Sequence, residues 1–229
     1  EAERMNLTQD EVLGAELGMV RRIPQPVPED LEAGLIILDP AFGKNTWNDD
    51  SAVTVHAKIR GMNIPVVVDS WHGKLGEEGL FDKMLEFSYY WGISTWCIES
   101  VAAQKLFLSY FRLLFRTRLM NEEFILMLPV LSGGVAKSSR IIAMRRAIGS
   151  GSYGVAASQE EVIEHFAEYN PQRPPDHDDL EDSTAYGLIA WDSYGESIKS
   201  RGITMVANAL MNRSQTNEGL RLGHQISAF

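Results

Sequence analysis

The sequence predicts an α/β domain: one mixed sheet, its first three strands antiparallel, covered by helices. Two observations carry this reading. Three extended runs with short connections lie between Gly34 and Val68, and connections that short join antiparallel neighbours. From Glu77 onward helical and extended segments alternate, the pattern of strands joined by helical crossovers. A third observation concerns chemistry: two apolar runs end abruptly on a carboxylate, GLIILD at Asp39 and ISTWCIE at Glu99. A carboxylate at the tip of a buried strand loses hydration and needs a compensating partner.

Taken in order, Leu7 to Arg22 reads as an amphipathic helix, with Thr8 and Glu11 spaced as a capping box. Ile23 to Asp30, IPQPVPED, reads as an extended proline-rich linker. Residues 1–30 are therefore expected to be an appendage and residues 31–229 the domain. Gly34 to Leu38 is a continuous apolar run, as in a strand buried on both faces. Pro40 and Gly43-Lys44 then turn the chain. In Ser51 to Arg60, Val53, Val55, Ala57 and Ile59 alternate with polar residues, the period of a strand. A turn at Gly61 leads to a third strand, Ile64 to Val68, ending on Asp69. Helices are expected at Glu77–Trp91, Val101–Asn121, Lys137–Ile148, Glu160–Tyr169 (with Ser158 as N-cap and Glu161 at the capping-box offset) and Asp178–Lys199. Strands are expected at Ile93–Glu99 and Phe124–Leu131. The tail after Gly202 has weak periodicity.

Composition narrows the function classes. No apolar run is long enough to span a membrane, and no leader of the secretory type is present. The single cysteine, Cys97, cannot form an internal disulfide and lies in an apolar run. It is read as a buried structural thiol in a reducing compartment. A formal net charge of −10 opposes tight independent binding to nucleic acid, which rests on phosphate neutralisation. Clustered acids that hold cations, with basic residues segregated elsewhere, would reconcile the two.

The acids do cluster. Besides Asp39 and Glu99, the run Asp176-His177-Asp178-Asp179-Leu180-Glu181-Asp182 opens the last long helix. Asp178 and Asp182 are four apart and Asp179 and Asp182 three apart, so they share a helical face. A helix N-terminus favours one or two acids, but more than that repel. A divalent cation removes the repulsion, and all-oxygen ligands suit Mg²⁺ or Mn²⁺.

Strand–Asp39 followed by GK, strand–Glu99, and HDDLEDSTAYG opening a helix together resemble the nuclease domain of tailed-bacteriophage large terminases, of the ribonuclease H-like superfamily. Lys137-Ser-Ser-Arg140 resembles the family's K-x-x-R. The resemblance spans roughly residues 31–200. It implies a five-stranded mixed sheet with Asp39 on its central strand beside the Glu99 strand. It also implies two-metal cleavage of concatemeric viral DNA during genome packaging. Asp39 would bridge the ions, Glu99 would bind one, and Asp179 or Asp178 the other, with Asp182 as a further ligand and His177 as an auxiliary group. Full-length members carry an ATPase motor. Here Gly43-Lys44 is followed by Asn45, and Leu38 stands where a phosphate-binding loop needs glycine. The chain is thus expected to be the isolated C-terminal part, starting at Glu1, of a viral protein of the host cytoplasm. Double-stranded DNA, the missing motor domain, a portal and a small terminase subunit are the implied partners.

Lys105, Arg112 and Arg116 share one face of the helix after Glu99. Together with Lys137 and Arg140, which follow the Gly133-Gly134 loop, they are the expected DNA-binding residues. Gly149 to Gly154 spells G-x-G-x-x-G, but a helix precedes it and a strand, Tyr153 to Ala157, follows. It is read as a turn and not a dinucleotide fingerprint. Trp71-His72 and Asp69 sit near the end of the third strand, and Asp69 is read as part of a turn in preference to a residue bordering the site. Two competing functions remain at this level: a junction resolvase of the same superfamily, and a docking module whose acids hold metal or meet a portal without catalysis.

Overall fold

In the computed structural model, residues 22–41, 50–99, 105–118, 125–131, 133–173, 175 and 178–201 are described. Of the expected helix from Leu7 to Arg22 only Arg22 is described, and it belongs to a strand; the Gly43-Lys44 turn, His177 and the tail from Gly202 onward lie outside the described residues. Arg22–Ile23 forms β1 and Leu31–Asp39 β2, separated by a 3₁₀ turn at Pro28–Asp30. Ser51–Ile59 is β3 and Pro65–Gly73 β4. Then come α1 (Glu77–Trp91), β5 (Thr95–Glu99), α2 (Lys105–Thr117), β6 (Leu126–Val130), α3 (Lys137–Gly149), β7 (Gly154–Ala156), α4 (Glu160–Glu168) and α5 (Asp179–Arg201).

Among the described residues one sheet holds every strand, in the order β1-β7-β4-β3-β2-β5-β6. The five expected strands form its continuous part, with β2 in the middle, antiparallel to β3 and parallel to β5. β3 and β4 are antiparallel, and β6 runs parallel to β5. The expected count of five is corrected to seven. β7 and β1 extend the sheet in parallel beyond β4, and strands of three and two residues are too short to show alternation. The start of the expected linker is part of that edge, because Ile23 pairs with Ala156 and is buried. At the other edge β6 accommodates Pro129, as an edge strand can.

Helices cover both faces. Ile36 and Leu38 of β2 and Trp96 and Ile98 of β5 pack with α1 and α2. Ala33, Leu35, Ile37 and Cys97 pack with α5 on the other face, while α3 and α4 close that layer beside them. Side chains alternate along a strand, so Asp39 falls on the α5 face with Leu35 and Ile37. Glu99 falls there with Cys97. Residues 35–38 have no solvent exposure, and full burial of each such side chain is worth about 1.5–3 kcal/mol.

α5 comes closest to β3 at one glycine. A Cβ on Gly187 would sit 2.3 Å from Cε1 of His56. The imidazole is held from two sides, Nε2 at 2.8 Å from Thr54 Oγ1 and Nδ1 at 2.8 Å from the Tyr153 hydroxyl, and Thr54 lies 3.1 Å from Ser183 Oγ. Burial lowers the His56 pKa to about 3, so the ring is neutral in this network. Gly187→Ala is expected to destabilise the protein by about 3 kcal/mol, the upper range of overpacking a full core, in denaturant unfolding. Gly195 on the same helix has its nearest atom at 3.9 Å, and Gly195→Ala is expected to gain up to about 1 kcal/mol from helix propensity.

Two local readings are corrected. Ser158 does not cap α4: Gln159 occupies that position with no side-chain cap, and the Ser158 hydroxyl donates to Gln25 Oε1. Asp69 is not at a strand end, since β4 continues to Gly73. It accepts hydrogen bonds from Trp91 Nε1 (2.9 Å) and the Ser70 amide (2.9 Å), on the face that α1 covers.

Candidate active site

Asp39 ends β2, and the parallel register with β5 runs Ile37 to Cys97 and Leu38 to Ile98. The next residues along each strand are Asp39 and Glu99, which brings the two carboxyls into hydrogen-bond contact. Asp39 is almost fully buried. Burial, the charges of Glu99 and Asp182, and the contact with Glu99 hold its pKa well above the ordinary carboxylate value, and Lys137 only partly offsets them. Two carboxyls in contact cannot both ionise without a compensating cation.

The first turn of α5 supplies the other acids. Asp178 immediately precedes the helix, and its carbonyl accepts the Asp182 amide at 3.0 Å. Lys137, the first residue of α3, stands among them. Its Nζ is 2.6 Å from Asp178 Oδ1, 3.6 Å from Asp179 Oδ1 and 3.7 Å from Asp182 Oδ2. Burial opposes its charge, but the hydrogen bond to Asp178 and the charges of Asp182, Asp178 and Asp39 hold the ammonium above the ordinary lysine value.

Arg140, one turn further along α3, is buried and donates from Nε and Nη2 to Asp182 at 2.8–3.1 Å. Nη1 donates to the Val135 carbonyl at 2.8 Å, which ties the loop containing Gly133 and Gly134, both at positive φ, to the acids. The guanidinium stacks over Tyr186, 4.5 Å from the ring centroid. The Tyr186 hydroxyl donates to Glu99. Burial first, and then Glu99, raise the Tyr186 pKa, so it stays a donor.

The structure therefore brings together Asp39, Glu99, Asp178, Asp179 and Asp182. The basic residues expected at DNA fall in different places. Arg140 is directed at Asp182, and Lys137 at three aspartates. Arg112 and Arg116 are exposed on α2, which packs on the opposite face of the sheet from α5, so they do not flank the acids. Lys105 begins α2. Tyr186 escaped the sequence reading as a site residue, although its spacing to Asp179 and Asp182 places all three on one face of α5.

The donor set is entirely oxygen and crowded with negative charge, and a cationic ammonium already stands among its aspartates. Hard divalent cations of the Mg²⁺ or Mn²⁺ type fit this chemistry. Asp182 is the least suited ligand, because both its oxygens are engaged by Arg140.

The carboxylates thus lie at the ends of two adjacent parallel strands and at a helix start on the same face of the sheet. No family model and no curated protein matches the sequence, whereas solved structures match the fold. The nuclease domain of the P22 large terminase aligns over 76% of this chain and 89% of its own, with 16% identity and a TM-score of 0.53. The SPP1 large terminase nuclease domain with bound Mn aligns over 77% of this chain and 97% of its own, with 10% identity and a TM-score of 0.51. A large terminase from a thermophilic bacteriophage aligns over 80% of this chain, with 12% identity and a TM-score of 0.50, but this chain spans only 42% of that protein. Nuclease domains of human cytomegalovirus terminase match as well. The chain thus has the fold of large-terminase nuclease domains.

Proposed function

We propose that this chain is a divalent-metal-dependent endodeoxyribonuclease that cuts concatemeric viral DNA during genome packaging. The observation that carries the proposal is the contact between Asp39 and Glu99 at the ends of paired parallel strands, completed by the aspartates of α5. Asp39, Glu99 and Asp179 or Asp178 would hold the metal, two ions being the number that the resemblance favours. The bound ions supply Lewis acidity and charge neutralisation for phosphodiester hydrolysis. The protein's own part is positional. Tyr186 orients Glu99 through its hydroxyl, and Arg140 holds Asp182 and thereby the first turn of α5. Lys137 keeps the aspartates compatible before cations enter.

Neighbouring folds that belong to terminases support the packaging context. On this reading the motor domain, portal and small subunit are partners, the motor joins the nuclease ahead of the edge strand Arg22–Ile23, and the protein acts in the host cytoplasm. No helix among the described residues is long and apolar enough to cross a membrane. The net charge of −10 means weak DNA affinity, so the chain acts at high protein concentration or when a motor delivers the duplex.

The test is nicking and linearisation of supercoiled plasmid with Mn²⁺, Mg²⁺, Ca²⁺ or EDTA, beside Glu99→Gln. Cleavage is expected with Mn²⁺ or Mg²⁺, and EDTA and Glu99→Gln are expected to remove it. Cleavage that survives Glu99→Gln would sink the assignment. A strong preference for branched DNA would favour a resolvase. Metal binding with no cleavage would favour a docking module.

A further inference from the structure

We propose a second metal site of different chemistry, formed by His72, Glu161 and His165 and selective for a transition cation of the Zn²⁺ type. One ligand atom from each of the three lies within 4.8 Å of the others. Glu161 and His165 are four apart on α4, so they project from one face. His72 comes from β4, and a register shift puts it there. Val55 pairs with Asp69 but His56 with Val67, which leaves Val68 as an extra residue. The bulge reverses the alternation of β4, so Val68 and Asp69 both serve the α1 face and Ser70 and His72 turn to the α4–α5 face. There the Ser70 hydroxyl donates to Gln159 Oε1 at 2.6 Å. A bulge is a common device for re-aiming a side chain.

The surroundings resemble an outer ligand shell. His165 Nδ1 lies 3.1 Å from Oε2 of Glu181, which is buried, leaving Nε2 for a ligand. His72 Nδ1 lies 3.7 Å from Asp50 Oδ2, and its Nε2 lies 3.1 Å from Glu161 Oε1. The two rings meet edge to face, 5.7 Å between centroids. Histidines that bind metal characteristically pass their other nitrogen to a carboxylate, which fixes the tautomer and raises ligand basicity. Two imidazoles and one carboxylate with an open fourth position suit Zn²⁺. They do not suit Mg²⁺, which demands oxygen.

The site is separate from the Asp39 centre but mechanically joined to it. Asp39, Ala52 and His72 lie in one row across three strands, about 10 Å end to end at ordinary strand spacing. Glu181, behind His165, is the neighbour in sequence of Asp182. A cation here would pin α4 to β4 and steady the turn of α5 that carries the aspartates.

The test uses the metal-stripped full chain titrated with Co²⁺ in excess Mg²⁺, reading the visible d–d absorption, with displacement by Zn²⁺. One equivalent is expected to bind. His72→Ala and His165→Gln, both at half-exposed positions, should each weaken binding at least about 10-fold, and Glu181→Gln by about 10- to 100-fold, the usual effect of losing a carboxylate behind a histidine ligand. Asp39→Asn should leave the absorption unchanged. In the wild type alone, Zn²⁺ should shift the imidazole NMR signals of two histidines in slow exchange. No absorption, an absorption that persists in both histidine variants, or one lost in Asp39→Asn would overturn the site. Plasmid cleavage is read separately, so either proposal can fail without the other.

Discussion

Replacing Asp39 by Asn is expected to abolish metal-dependent cleavage and at the same time to stabilise the metal-free protein. The two effects have one origin. Asp39 is a buried carboxyl facing Glu99 and Asp182, and burial followed by those charges raises its pKa. A carboxyl whose folded pKa exceeds its unfolded value binds more protons in the native state. Native stability therefore falls as pH rises from the ordinary carboxylate range through the raised value, and then levels off. Asn removes this penalty while keeping the shape. In EDTA, the stability difference between Asp39→Asn and wild type should be near zero at acidic pH and grow in favour of the variant towards neutrality. Cleavage should fall by about three orders of magnitude or more, since several kcal/mol of transition-state stabilisation depend on the cation's ligands. Thermal unfolding across pH and plasmid cleavage check the two halves. A variant that is both inactive and less stable at neutral pH would show that Asp39 has a structural role in place of the proposed one.

Arg140→Met is expected to act in the opposite direction on stability. It keeps most of the side-chain volume but removes the donors to Asp182 and to the Val135 carbonyl. Asp182 is left buried beside Glu99 with only the more distant Lys137 Nζ, 3.7 Å away. Breaking a buried pair from one side costs about 3–5 kcal/mol, which for a chain of this size lowers Tm by roughly 10 °C. The loss should shrink at acidic pH, where Asp182 is neutral, and Arg140→Met/Asp182→Asn should recover part of it. Additive losses in that double variant would mean the pair is uncoupled. Tyr186 also loses its stacking partner, so cleavage at saturating metal should decline further than the loss of folded protein explains. If Arg140 instead contacted DNA, the variant would show weaker salt-sensitive binding with unchanged Tm.

Much of this site was legible without coordinates. Asp39 and Glu99 each end a short apolar run, and a strand buried on both faces has few ways to finish on a charge except at a sheet edge where something compensates it. The offsets among Asp178, Asp179 and Asp182 follow from helical geometry alone. These are local periodicities, two residues along a strand and three to four along a helix, and local periodicity is what a sequence displays directly. The role of the basic residues was not legible. Lys137 and Arg140 were expected at a DNA backbone, but nothing in their spacing tells a solvent-facing turn from one facing the first turn of α5. That choice depends on how two helices distant in sequence pack together.

The same division holds for the fold. The five long strands and their covering helices were determined by pattern, because hydrophobic alternation decides which segments are extended and which face is buried. Only the tertiary structure decided that Ile23 completes a seven-stranded sheet through β7, since strands this short gain their stability from neighbours and not from their own sequence. Only packing assigned Gly187 its purpose, the close approach of α5 to His56 that brings the acids over β2. And only the extra residue in β4 turned His72 towards Glu161 and His165. A single-residue bulge reverses every side chain beyond it, yet its cause lies in the pairing with β3, which no stretch of β4 records by itself.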